Sequence, residues 1–329
     1  MTVRKRCADI VYALSSSLLL ILAFSGSAIG QEKITYLLPA PGFLPAFAPF
    51  QIARHKGYYK KAGLDVEFQV GRGGVDVAKQ VGAGNATIGG AVGDTSIIVR
   101  PNGVPVRTIA LLGGHALAQI IVRKDAGIKS PADLKGKTVA VISYQDNTYY
   151  SLLAALSRFG IGKADIDAQA VGAAGVVQLM IANKAPAIAG VPEWAVSVES
   201  AGVPIEMFSV ERYFPGMAQA ILASDETVRK NPAAVRAFVQ ATLEAIREIM
   251  SDPAAATRVY LDAVPQHKRN AAEIEKTLRL YAELVYPGQA KLGLIDPARV
   301  AAVQDFYYQA GIISTKTDVN ELYSNQFVQ

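Results

Sequence analysis

The stretch Ile128-Lys129-Ser130-Pro131-Ala132-Asp133-Leu134-Lys135-Gly136-Lys137-Thr138-Val139-Ala140-Val141 decides the architecture, because it restarts a pattern that has already run once. Residues 130–134 read as a capped helical turn. Ser130 can accept from backbone N–H groups, and Pro131 takes the first helical position, where a missing N–H costs nothing. Residues 138–142 then form a short apolar β run, and residues 118–123 form another ahead of the turn.

Upstream, the same alternation appears. Residues 33–38 read as a strand and about 46–62 as a helix, closed by Gly63 where a left-handed residue is wanted. Residues 65–70 are a strand with Val66, Phe68 and Val70 alternating against polar neighbours. A short helix at 73–82 and strands at 86–90 and 106–112 complete a β-α-β-α-β run, which predicts a mostly parallel sheet covered by helices. Downstream, a helix over about 147–159 stops at Gly160. Segments 167–171, 173–183, 185–189, 193–201 and 204–208 repeat the pattern as a second α/β lobe over about 120–220. After a strand at 217–222 the chain turns helical. Asn231-Pro232 caps a helix whose Val235, Phe238, Val239, Leu243, Ile246 and Met250 share one face. Ile274, Leu278, Tyr281 and Val285 mark another helix, and Val300, Val303, Phe306 and Tyr307 a third. These stripes read as core packing.

A helical tail must pack back on one of the two units. If it joins the first, the chain crosses between lobes twice, near 119–123 and 219–224. The domains are then 31–119 with 222–329, and 120–221, and the cleft between them is the place for a ligand.

Residues 1–30 read as a secretory leader: Arg4, Lys5 and Arg6, an apolar run over 17–24, then small residues with Ala28 and Gly30 where a peptidase reads. The apolar run is shorter than the ~20 residues of a spanning helix. Cys7, the only cysteine of the 329 residues, precedes that run, which argues against lipidation. A chain cleaved near Gly30 has no thiol for disulfides, thiolate–metal sites or a cysteine nucleophile. The formal charge is +5, and cleavage removes three cations and one anion to leave +3. That excess is spread along the chain, unlike the clustered stripe that nucleic-acid binding needs.

The chain resembles the periplasmic solute-binding proteins of ABC importers, in the branch that includes binders of sulfonates, taurine, nitrate, thiamine pyrimidine precursors and riboflavin. Residues 56–66 (KGYYKKAGLDV) look like that family's first helix-to-strand joint, and 81–89 (VGAGNATIG) its helix ending in a Gly-rich turn. Residues 128–141 match most specifically, and 172–202 follow the next helix–strand–helix block. Ala185-Pro186-Ala187 departs from the family, which often has an Asp there. The resemblance implies an α/β, type II two-lobed periplasmic binding protein with hinge strands, its helical tail packed on the first lobe. It implies periplasmic location, capture of a small molecule and delivery to a membrane permease, as a monomer without cofactor, metal or nucleic acid.

In such a fold the ligand meets loops at strand ends and the N-termini of helices, which hold polar or anionic groups with unpaired N–H groups. Here those loops carry Phe43 and Phe47 in the first, Asp94 and Thr95, His115, then Tyr144, Asn147, Thr148 and Tyr149, then Glu193 and Trp194, with Tyr213 before the return crossing. They combine aromatic rings and acids and, as read, hold no Lys or Arg. Rings favour stacking on a planar ligand, and carboxylates accept from ligand N–H groups. The expected ligand is therefore aromatic or heterocyclic, pyrimidine-like for example. The alternatives are a sulfonate-, taurine- or nitrate-type anion binder, or an exported enzyme on this scaffold.

The enzyme alternative has a model in the resembling eukaryotic thiamine-pyrimidine synthase, which uses a lysine-bound pyridoxal and its own histidine. Ala91 stands at the lysine position and Thr95 at the histidine position. His55, His115 and His267 are widely separated, with no HExxH and no Gly-x-Ser-x-Gly elbow. Gly71-Arg72-Gly73-Gly74 lacks the Lys-Ser/Thr of a phosphate loop and reads as a strand-to-helix turn.

Overall fold

The computed structural model describes residues 31–328. The expected leader, Cys7 and the cleavage site lie outside the described residues.

The strands, in order, are β1 (Glu32–Leu38), β2 (Leu64–Val70), β3 (Ile88–Val92), β4 (Val106–Leu111), β5 (Gln119–Arg123), β6 (Thr138–Val141), β7 (Asp167–Ala170), β8 (Ala187–Gly190), β9 (Ile205–Ser209) and β10 (Gln219–Ser224). The main helices are α1 (Ala48–His55), α2 (Tyr58–Lys61), α3 (Gly74–Gly82), α4 (Asn147–Ser157), α5 (Gly172–Ile181), α6 (Pro192–Ser200), α7 (Pro232–Ser251), α8 (Pro253–Ala263), α9 (Ala271–Leu284) and α10 (Pro297–Gln309). Short helices at Thr95–Val99, Asp225–Lys230 and Val319–Leu322 accompany them.

The strands form two five-stranded sheets, β2-β1-β3-β10-β4 and β7-β6-β8-β5-β9. Each sheet is mixed rather than mostly parallel. β1 runs parallel to β2 and β3, and β6 to β7 and β8. β10 is antiparallel to β3 and β4, and β5 to β8 and β9. The reversed strands are those adjoining the two passages between sheets. Strand direction there follows from where the chain arrives, which local patterning does not encode.

Gln119–Arg123 pairs wholly within the second sheet and Gln219–Ser224 wholly within the first. The passages themselves are 112–118 and 210–218. They are joined to each other, Leu117 N donating to Met217 O at 3.1 Å and Leu112 N to Gln219 O at 2.7 Å.

The expected helix over 46–62 is divided. A 3-10 turn (Pro45–Phe47) leads into α1, which ends at His55 with Lys56 as its C-cap, and α2 starts afresh after Gly57. Gly57 has φ +71°, a left-handed conformation that closes a helix cheaply only without a Cβ. Gly63 is left-handed as expected, at φ +78°. The turn after Ser130 carries a capping box with Asp133. α8 and the Asp225–Lys230 helix had no counterpart among the expected elements.

The core of the first lobe is aromatic. Tyr36 stacks on Phe50 at 4.6 Å between centroids, and Tyr59 on Phe238 of α7 at 4.8 Å. The Tyr59 hydroxyl meets the Thr242 hydroxyl at 2.9 Å, so α7 packs on the first lobe through rings and a satisfied polar pair. In the second lobe the period of two divides β5 between two cores. Ile120 and Val122 join Val139, Leu152 and Phe208 on one face, while Ile121 joins Ala140, Val176 and Ile188 on the other. Among the described residues no helix is long and apolar enough to cross a membrane.

Candidate functional site

The loops leaving the parallel strands of both sheets face one cavity of about 630 Å³. The first lobe contributes Pro39 and Ala40 after β1, Arg72 to Gly74 after β2, Gly90 to Val92 of β3, and Leu112 after β4. The second contributes Ile142 and Asp146 to Thr148 after β6, Ala173 after β7, and Val191, Glu193 and Trp194 after β8. Four helices, α3, α4, α5 and α6, begin at this cavity, so their first-turn N–H groups, which lack intrahelical partners, surround it.

Phe47, Asn147, Thr148, Glu193 and Trp194 are the expected residues that line the cavity. Phe47 is almost fully buried between the cavity and the first core. Asp146 caps α4, its Oδ1 accepting from Thr148 N at 2.9 Å and from the Thr148 hydroxyl. Glu193 opens α6 and accepts from the Tyr281 hydroxyl of α9 at 2.7 Å, a bond that ties the second lobe to the tail. Burial raises the Glu193 pKa, and the Tyr281 bond opposes that rise.

Asp94 and Thr95 stand just behind the lining. Asp94, 2% exposed, accepts from Asn147 Nδ2 across the cleft and from the Tyr307 hydroxyl of α10. Burial pushes its pKa up to about 6 against the pull of those two hydrogen bonds. Thr95 is fully buried, and its Oγ1 has no hydrogen-bond partner among the described residues.

The other expected residues are elsewhere. Phe43 is 44% exposed, and its carbonyl accepts from Tyr260 and meets His267 Nε2 at 2.8 Å. His115 packs on Gly288. Tyr144 is exposed and donates to Ala168 O at 3.1 Å. Tyr149 points from α4 into the second lobe's core, and Tyr213 packs on Phe159 at 5.5 Å between centroids.

Among the lining residues outside the expected set are Tyr36, Tyr281 and Arg72. Tyr36 looks like a strand-core residue and Tyr281 like a helix-core residue, yet both reach the cavity. A tyrosine on the buried face of β1, beside Ile34 and Leu38, was the available signal. Arg72 overturns the expectation of a site without cations. Among the described residues no group of three or more His, Cys, Asp or Glu is placed to hold a metal ion.

The described residues form a mixed-sheet, two-lobed α/β fold with a cavity between facing strand ends, the fold of the periplasmic solute-binding proteins. The chain belongs to the NMT1/THI5-like family, whose model matches residues 44–256. It is 26% identical over 309 residues to the riboflavin-binding protein RibY of Chloroflexus aurantiacus, covering 91% of this chain and 87% of that one. It is 26% identical over 277 residues to a 4-amino-5-hydroxymethyl-2-methylpyrimidine phosphate synthase of Saccharomyces cerevisiae, covering 77% of each. Among solved structures, the alkanesulfonate-binding protein SsuA of Xanthomonas axonopodis pv. citri, bound to MOPS, superposes with TM-score 0.68 at 17% identity, covering 90% of this chain and 98% of that one. This last likeness concerns the fold. The relatives thus include both binders and synthases.

Proposed function

We propose that the protein is an exported, periplasmic, monomeric solute-binding component of an ABC importer. In this reading it holds a planar heterocycle between its lobes and hands it unchanged to a membrane permease. The observation that carries the reading is the cavity itself. Its walls bring Tyr36, Phe47, Phe50, Tyr281 and Trp194 around one space, with the Glu193 carboxylate placed to accept from ring N–H groups. At about 630 Å³ the space favours a fused ring system over a single pyrimidine or a small sulfonate. The name of the RibY relative points the same way. Binding rather than turnover is supported by Ala91, which lines the cavity where the resembling synthase has its lysine.

The lobe division belongs to the same proposal, with 31–119 and 222–329 forming one lobe and 120–221 the other. Pairing of residues 219–221 in the first sheet favours a return slightly earlier.

The test is a thermal-shift screen with riboflavin and other flavins, pyrimidines, aromatic acids, sulfonates and nitrate, since a ligand raises the melting point by mass action. Flavins or related fused heterocycles should give the largest shifts. Mass spectrometry after denaturation should return them unaltered. Shifts from sulfonates or nitrate alone, or a chemically altered ligand, would refute the reading. N-terminal sequencing of the exported chain should begin at Gln31.

A further inference from the structure

We infer that the ligand carries an anionic arm, a phosphate or carboxylate, and that Arg72 holds it. The inference rests on the ring-binding cavity proposed above and adds the chemical class of its occupant.

Arg72 lines the cavity, and its guanidinium makes no ion pair, hydrogen bond or ring contact with any described residue. The nearest acid in its turn, Asp76, is engaged by the Arg72 backbone N–H at 2.9 Å. Arg72 is itself exposed, and it is followed directly by Gly73 and Gly74, where α3 begins at the cavity wall. Two hydroxyls lie near this turn without a partner among the described residues, that of Tyr36 in the lining and that of Thr95 buried behind it. Tyr36 is 1% exposed, lines the cavity, and has its Oη 2.4 Å from where a Cβ on Gly90 would stand. Pro39, which would also touch that Cβ, accepts from Gly73 N through its carbonyl. Thr95 Oγ1 lies 3.2 Å from a Cβ built on Gly74. This side of the cavity therefore offers one unpaired guanidinium, a helix start and one lining hydroxyl.

The cavity's acids lie elsewhere. Asp146 accepts from Thr148 through Oδ1 and Glu193 from Tyr281 through Oε2, which leaves the second oxygen of each for ligand N–H groups. A ligand with N–H groups at one edge and an anion at the other satisfies both sides. A purely cationic ligand leaves Arg72 unanswered.

The experiment compares riboflavin with riboflavin 5′-phosphate by isothermal titration calorimetry. The wild type should prefer the phosphorylated form by about tenfold, the scale of one charge-assisted contact. Arg72→Gln should reduce that preference to less than about threefold. Arg258→Gln, on the exposed side of α8 and away from the cavity, removes the same charge and should retain the preference. Equal affinities in the wild type, or a preference that survives Arg72→Gln, would overturn the inference.

If neither flavin binds, the ring-binding reading fails, and inorganic phosphate decides the anion site alone. Trp194 is the single tryptophan and lines the cavity, so its emission reports occupancy. A saturable phosphate response in the wild type that Arg72→Gln abolishes supports the site. No response in the wild type refutes it.

Discussion

The two walls of the cavity are built on sheets of the same strand order but are made of different material. On the first lobe the lining is largely core. Tyr36, Phe47 and Phe50 belong to one continuous aromatic cluster with Phe238, and they are nearly inaccessible. On the second lobe the lining is the start of helices, Asp146 to Thr148 and Glu193 with Trp194, mostly half-buried groups of which Asp146, Asn147, Thr148 and Glu193 are hydrogen-bonded locally or to the first lobe and tail. The first wall is therefore shaped by folding itself, and the second is adjustable chemistry mounted on a scaffold. Equivalent changes on the two sides should have different consequences.

Phe47→Ala should break the contrast most visibly. Removing a ring that serves both core and cavity should cost about 3–5 kcal/mol of folding stability, read by chemical denaturation. A stability within ~1 kcal/mol of wild type would show that the first wall is not core.

Next comes Asp94, which Asn147 ties to the second wall and Tyr307 to the tail. Its pKa of about 6 stands above the ordinary 3.8, so the folded state holds the proton more tightly than the unfolded chain. The associated stability is fully present below about pH 4 and is lost as pH rises through about 6. Between these limits the wild type should lose on the order of 3 kcal/mol relative to Asp94→Asn. Denaturation series at stepped pH for both proteins measure this, and parallel curves would contradict it.

Trp194→Ala should weaken ligand binding about 30-fold, near 2 kcal/mol, while lowering the melting temperature little. A large loss of stability with unchanged affinity would reverse the roles of the walls. Smallest is Lys276→Ala, which removes an exposed 2.7 Å ion pair from α9 to Glu199 of α6. Its effect on stability should stay within ~0.5 kcal/mol, and a larger one would make that pair a genuine clasp.

The alternation of short apolar runs with helical stripes was enough to read two α/β units and a returning tail. That signal is local and survives without knowledge of neighbours. What escaped depends on neighbours. Nothing in 119–123 or 219–224 reveals that these strands run against their sheets, and Gly57 inside an otherwise helical run gave no sign of being left-handed. In the site, residues directly following strands were legible, because strand ends converge on a cleft. Tyr149 was not separable from Asn147 and Thr148 by sequence, since two residues of helix rotation turn a side chain from the cavity to the core. Tyr149→Ala should accordingly lower stability rather than affinity, as thermal melts and titrations will show. Arg72 was not legible because a lone arginine in a strand-to-helix turn reads the same on a cavity wall as on open surface.

The second sheet enters and leaves on adjacent strands, with Gln119 opposite Ser209. Its two chain ends are therefore one strand spacing apart, roughly 5 Å. The segment from 119 to 209 is a cassette whose removal or exchange requires only two junctions lying side by side. Grafting that cassette from a relative onto this first lobe would swap the chemistry of recognition while leaving the aromatic bed untouched. Over evolutionary time, the same geometry lets ligand preference change by replacement of one contiguous stretch of gene.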